Sequence, residues 1–297
     1  MNEETLPTHA LIFLGFGEVA STFYQSGLRD VPGLEVKVCI PIDPSKWGIC
    51  HELLAKTGLS AQEDPEILSQ AVTIISLVPP TAALSVAHKA LPFLSDQTTY
   101  VDMNSIAAPT AREIEVLVTQ TGARFVDAAI LGAVPLHGLQ VPIVLSGQAA
   151  SDFHALASQW GFKTRILSSQ VGDASALKML WSVITKGAIA LFAESLVAAK
   201  RMQLDGNLRE LLHQNFGYYG SDDMILRLLR STAEAGERRI GEMDQARHTL
   251  EAIQVPTWSV NAAQKWIGTL DGMTAAAKAE DIESVLTEIS KALSWQE

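Results

Sequence analysis

Two hydrophobic periods divide the chain. Up to about residue 170, short apolar runs alternate with stretches of helical period. The runs are His9 to Leu14, Glu35 to Ile40, Ala71 to Val78, Tyr100 to Met103, Arg124 to Ala128, Pro142 to Leu145 and Thr164 to Leu167. Helical patterns follow the first run as far as Leu28 and occupy Thr110 to Gln120. Ala71 to Val78 reads as a buried parallel strand, and Pro79-Pro80 ends it. Alternation of this kind implies right-handed crossovers and a doubly wound sheet. After Gly172 the period is helical only, with breaks at Asp205-Gly206, Gly217 to Ser221, Val255-Pro256 and Asp271-Gly272. The expected fold is therefore α/β, a doubly wound sheet domain over residues 1–170 followed by an all-α domain over 171–297.

No flexible linker separates the halves, so a long helix should spring directly from the sheet domain and shape the cleft between the two. That helix is predicted over Gly172 to Leu204, with Asp173 as N-cap and Asp205-Gly206 as its stop. It should be the longest in the molecule. Met179, Leu180, Val183, Ile184, Ala188, Ala190 and Leu191 spread over most of its circumference, the pattern of a helix buried on nearly every side. One stripe is polar: taking Lys178 as zero, Ser182 lies at about 40°, Thr185 at about −20° and Lys186 at about 80°. A lysine is rarely buried unpaired, so the stripe faces a partner subunit, a buried acid or a cavity in which chemistry is done. By contrast, Glu234 to Glu251 reads as a solvated helix carrying surface salt bridges.

Composition narrows the possible partners. The 297 residues are 47% hydrophobic, enough for a substantial core, and the formal net charge of −11 argues against nucleic-acid and anionic-membrane surfaces. Cys39 and Cys50 form no CxxC, and the seven histidines form no HxxxH or HExxH pair, so no metal site is expected. The acidic N-terminus and the short run LIFLGF give neither signal core nor membrane span. A soluble cytoplasmic protein is the expectation.

The first apolar run ends in Gly15-Phe16-Gly17-Glu18-Val19-Ala20 and a helix follows, the GxGxxA arrangement of a Rossmann-type dinucleotide-binding domain. The first glycine permits the tight turn and the second lets backbone approach a pyrophosphate, while the helix N-terminus faces the phosphates. Asp43 after the second strand is either the ligand of the adenosine ribose or a surface turn residue. No arginine stands beside it for a 2′-phosphate, although Ser45 and Lys46 could serve, so the balance inclines to NAD over NADP. Leu77-Val78-Pro79 and Asn104-Ser105, at the ends of later strands, should line the cofactor crevice.

Four segments, in order, resemble the β-hydroxyacid dehydrogenase superfamily, which includes 6-phosphogluconate and 3-hydroxyisobutyrate dehydrogenases. GFGEVA resembles its dinucleotide turn, VDMNSIAAP its DMST-type motif, FVDAAILGA its DAPVSGG substrate loop, and GDASALK the run that carries its catalytic lysine. The resemblance covers the first 200 residues; the rest looks like a less characterised branch with its own helical domain. It implies Lys178 as general acid/base, Ser105 touching substrate near the nicotinamide, and the loop at Gly132 holding a substrate carboxylate. Oxidising a secondary alcohol needs a base for the hydroxyl proton, and burial, the cationic nicotinamide and Lys186 would each lower a lysine from its usual pKa of about 10.4. Lys186 could instead hold a substrate anion or pair with an acid elsewhere. Related proteins dimerise through the helical domain, so a homodimer is expected.

The departures from the family shape the expected substrate. Trp181 and Ser182 replace its two asparagines, Ser182 retaining a weaker hydrogen-bonding group near the catalytic lysine, and Leu131 and Ala133 replace the serine and second glycine of its loop. A larger or more apolar substrate than 3-hydroxyisobutyrate follows. Two other readings stay open: an imine reductase, against which the retained Lys178 argues, and a dinucleotide-binding regulator without turnover.

Overall fold

The computed structural model describes residues 9–41, 48, 50–217, 221–252, 254 and 256–293. Its strands are β1 (His9–Leu14), β2 (Leu34–Cys39), β3 (Ala61–Gln62), β4 (Thr73–Ser76), β5 (Thr99–Asp102), β6 (Arg124–Ile130), β7 (Ile143–Ser146) and β8 (Thr164–Ser168). The helices of the first half are α1 (Glu18–Gln25), α2 (Cys50–Thr57), α3 (Ala83–Ala90), α4 (Ala108–Thr119), α5 (Val134–His137) and α6 (Ala150–Gln159). Then follow α7 (Asp173–Arg201), α8 (Asp205–Phe216), α9 (Asp222–Ala252), α10 (Trp258–Leu270), α11 (Thr274–Ala277) and α12 (Ile282–Leu293). Two compact units result, Met1–Met179 and Leu180–Glu297, and the division falls inside α7.

In the first unit the strands form one sheet in the order β3-β2-β1-β4-β5-β6-β7-β8. Neighbours are parallel except β6 and β7. The order reverses between β1 and β4, which opens a crevice at their carboxyl ends. Both faces of the central strands are covered: Leu11 and Phe13 pack with Phe16, Phe23 and Val126, while Ile12 and Leu14 pack with Ile74, Tyr100 and Phe125. Two-sided burial is why these strands read as apolar runs rather than as alternation. β3 was not foreseen, because two residues carry no period.

A buried polar row crosses four neighbouring strands. Ser76, Asp102, Asp127 and Ser146 are successive register partners on β4, β5, β6 and β7, and none is more than 1% exposed. A buried carboxylate is several kcal/mol unfavourable unless hydrogen bonds compensate it. Asp102 accepts from the Asn104 backbone N–H at 2.9 Å and side-chain amide at 3.0 Å. Asp127 accepts from the Ser146 hydroxyl at 2.9 Å, the N–H groups of Gly172 at 2.9 Å and Ser175 at 3.1 Å, and the Ser175 hydroxyl at 2.6 Å. Asp127 therefore caps α7. Asp173, the expected N-cap, instead accepts from the Ser168 hydroxyl at 2.6 Å. A local search could not see this, because the cap comes from a strand 45 residues before Gly172.

In the second unit Ile189, Ala193, Leu196 and Val197 of α7 pack with Ile225 and Leu229 of α9 and Val285, Leu286 and Ile289 of α12. The segment Asp173–Ala193 is long and apolar enough to cross a membrane, yet the same helix supplies these core residues. Burial is not complete all round: Leu180, Ile184 and Leu191 are 44%, 63% and 69% exposed. α7 has 29 residues and α9 has 31, but α9 is two segments meeting at the non-helical Ala235, so α7 remains the longer unbroken helix. The α9 helix also corrects the expectation of a wholly solvated segment. Met243 and Leu250 are buried with Val260, Ala263 and Ile267 of α10, while Arg247 pairs outward with Asp244. Charge density had hidden the apolar face. After the kink the helix restarts on a second distant acceptor, the Asp271 carboxylate, which takes the Gly236 N–H at 2.9 Å.

Burial pushes the Asp102 carboxyl up to about 7, with bonds from Asn104 opposing, Asp127 adding to the rise and Lys178 opposing it. The folded chain thus holds this proton more tightly than the unfolded chain, whose carboxyl titrates at about 4. The resulting stability is fully present below that value and lost as pH rises through about 7. Urea unfolding of wild type and Asp102→Asn at about pH 5 and about pH 8 should show wild type losing ground to the variant at the higher pH. A stability difference that does not move with pH would contradict the burial effect.

Candidate functional site

The turn from β1 into α1 is built for close approach. Gly15 sits at φ +90°, and a Cβ there would lie 2.6 Å from the Leu77 carbonyl oxygen and 2.6 Å from Val78 Cγ1. Only glycine fits. Phe16 is buried and meets Phe13 edge-on, which fixes the turn against the sheet. Gly17 is the N-cap of α1, has no side-chain cap, and would place an added Cβ in open space. Glu18 is exposed and Val19 half-buried as the helix begins. A helix N-terminus with this open face, at the switch point of the sheet, suits a pyrophosphate.

Across the crevice Leu77 and Val78 are half-buried and Pro79 exposed. The Val78 N–H donates to Asn104 Oδ1 at 2.7 Å, and Asn104 Nδ2 donates to Ser76 Oγ at 2.9 Å as well as to Asp102. Asn104 is 3% exposed, so its side chain turns inward and braces the loop after β4. Ser105, the next residue, is half-buried at the same end of β5.

Beyond β6, Leu131 and Leu177 pack together on Ala129, Val144 and Ala174, which sets the Leu131-Gly132-Ala133 loop beside the first turns of α7. Gly132 is exposed and Ala133 half-buried. A Cβ on Gly132 would meet Val141 Cγ2 at 3.0 Å, so the bend there is tight. Lys178 is half-buried, and its charge acts on the Asp102 carboxyl at the end of β5. The first unit thus ranges the glycine turn, Leu77 to Pro79, Asn104-Ser105 and the 131–133 loop beyond the carboxyl ends of β1, β4, β5 and β6.

The second unit holds the remaining expected site residues. Ser182 is 2% exposed, and Trp181 is 39% exposed. Lys186 Nζ lies 2.8 Å from Glu242 Oε2 and donates to Ser182 Oγ at 3.4 Å. Its charge, expected to help depress Lys178, is therefore matched by an acid far along the chain. Arg239 of α9 donates to Ser231 Oγ at 2.6 Å. Asp43, with Ser45 and Lys46, lies outside the described residues. Among the described residues no group of His, Cys, Asp and Glu could hold a metal ion.

Asp102, Asp127, Ser146 and Ser175 are structural members of this site that motif reading passed over. Their signal was available: an acid twice interrupts an apolar strand, in TYVD and RFVDAAI. Such an acid is seldom buried without internal donors.

The NAD-binding domain of 6-phosphogluconate dehydrogenase matches residues 46–156, a span that begins after the glycine turn. An uncharacterized 28.5 kDa protein of Methanothermus fervidus is 31% identical over 69% of this chain and 76% of its own length. Glyoxylate/succinic semialdehyde reductase 1 of Arabidopsis thaliana is 29% identical over 53% of this chain, and the match spans only 57% of the reductase. A solved conserved protein of unknown function, itself structurally similar to 3-hydroxyacid dehydrogenases, is 31% identical with a TM-score of 0.69, covering 88% of this chain and 96% of that one. With an NAD(P)-binding sheet domain, the family's motifs in order and such relatives, the chain belongs to the β-hydroxyacid dehydrogenase superfamily.

Proposed function

We propose that the protein is an NAD(P)-dependent oxidoreductase that moves hydride between nicotinamide C4 and the hydroxyl carbon of a β-hydroxy acid, with Lys178 as general acid/base. The observation that carries this reading is the placement of Lys178 in the opening turns of α7, next to Leu177, which packs with Leu131 of the 131–133 loop. The nicotinamide supplies the hydride donor or acceptor. The residues of the chain do the rest. Gly15, Gly17 and the amino end of α1 receive the pyrophosphate, and Leu77 to Pro79, held by Asn104, form the facing wall. Ser105 touches the substrate near the nicotinamide, the loop at Gly132 holds its carboxylate, and Lys178 takes the hydroxyl proton in oxidation or returns it in reduction. Leu131 and Ala133, more apolar and bulkier than the serine and glycine of the family's loop, favour a bulkier or more apolar substrate than 3-hydroxyisobutyrate. The Arabidopsis relative supports the chemistry, being a reductase of glyoxylate and succinic semialdehyde, both carboxylate-bearing aldehydes.

The same reading includes a homodimer through the helical domain. Leu180, Ile184 and Leu191 fall within an arc of about 40° on α7 and are all exposed in the single chain. A second copy would cover them.

Three measurements test these statements. On a panel of β-hydroxy acids with NAD or NADP, followed by absorbance of the reduced nucleotide, Lys178→Ala should lower kcat by about a thousandfold while cofactor affinity holds; full turnover in the variant removes Lys178 from the mechanism. Gly15→Ala should weaken nucleotide binding by at least about tenfold in titration calorimetry, since the turn must open to admit the methyl group. Unchanged affinity would place the nucleotide elsewhere. In sedimentation the wild type should run as a dimer and the pair Ile184→Glu and Leu191→Glu as a monomer, whereas a wild-type monomer at about micromolar concentration rejects the dimer.

A further inference from the structure

We propose that Asp127, at the middle of β6, is the positioning residue for Lys178: it fixes the height and rotation of the first turns of α7 and so sets where the lysine ammonium can reach. The proposal rests on the proposed role of Lys178 and adds a residue that does not itself touch substrate.

Both carboxylate oxygens of Asp127 are engaged. Oδ2 takes the N–H groups of Gly172 and Ser175 and the hydroxyl of Ser146, and Oδ1 takes the hydroxyl of Ser175 at 2.6 Å. Ser146 also accepts from the Ala174 N–H at 3.1 Å, so three of the first amides of α7 end on two neighbouring strand residues. One acceptor alone would leave the helix free to turn about it. Acceptors on two hydrogen-bonded strands remove that freedom, because Asp127 and Ser146 are themselves register partners. The residue before Gly172 is held too. Arg112 donates to the Val171 carbonyl at 3.1 Å, and its Nε lies only 2.9 Å from where a Cβ on Gly172 would sit.

Lys178 follows Ser175 by three residues and shares its face of the helix. Its long stem is flexible, so the ammonium is only as well placed as the backbone that carries it. A misplacement of about 1 Å can cost a reaction about a hundredfold, and the anchor acts within one turn of the lysine. The Ser168–Asp173 bond at the same helix end is separate from this network and offers an internal control.

The test compares Asp127→Ala, Asp127→Asn, Ser175→Ala and Ser168→Ala in the full chain. Two readouts are taken: amide hydrogen exchange over residues 172–179, and kcat set against KM for the nucleotide. In Asp127→Ala, exchange in that segment should quicken by at least about tenfold while β1 and β4 keep their protection. Its kcat should fall about a hundredfold with nucleotide KM within about threefold of wild type. Asp127→Asn keeps one acceptor oxygen and should recover at least about a tenth of wild-type kcat, and Ser168→Ala should match wild type. Should Asp127→Ala not fold, Ser175→Ala decides, with faster local exchange and kcat lowered by about fivefold expected. Unchanged exchange over 172–179 in a folded variant overturns the proposal, and so does quickened exchange with unchanged kcat. Failure of the Lys178 reading looks different: there Lys178→Ala keeps full turnover while Asp127→Ala still loosens the helix.

Discussion

The carboxylate of Asp127 is the constraint on which the rest of the first unit depends. A carboxyl group placed in the middle of a sheet, covered on both faces, is tolerable only with its hydrogen-bonding capacity met. Those donors come from β7 and from the first turn of α7, so satisfying one side chain ties three elements together. The free amides of the helix need acceptors and the buried carboxylate needs donors, and each defect removes the other. The positive end of the helix adds an attraction of about 0.3–1 kcal/mol or more in a buried setting.

Asn104 does similar work one strand away. It connects Val78, Ser76 and Asp102 through a single amide group, and through Val78 it supports the wall against which Gly15 is packed. The polar row also acts on register. Shifting β5 or β6 by one residue would turn every side chain to the opposite face and strand an unpaired carboxylate in the core. Apolar runs alone specify such a shift poorly, since both faces are hydrophobic, and the acids supply the missing discrimination.

What the amino-acid sequence disclosed follows from how local each signal is. Two-sided burial makes a continuous apolar run, so the seven longer strands were legible, while β3 was too short to have a pattern. GFGEVA was legible because the turn and the open helix end both fall within six residues; the close approach to Leu77 was not local and appears only in the folded chain. The cap on α7 and the partner of Lys186 were not, because Asp127 and Glu242 are neighbours of those groups only in the folded chain. Proximity in sequence pointed to Asp173, which is merely the nearest acid. The α9 helix misled for another reason: its exposed face carries so many charges that the buried stripe of Met243 and Leu250 was diluted in the average.

The borrowed cap also bears on how such a protein can be divided. A recombination junction placed at residue 170, where strands give way to helices, would take Asp127 from one parent and Gly172 and Ser175 from the other, so the cap would form only where the incoming helix starts at the same height and rotation. A junction after Met179 keeps donor and acceptor in one parent. A helical domain exchanged with this cap intact would therefore be joined in the interior of α7, and the opening turns of that helix, with Lys178 among them, would travel with the sheet.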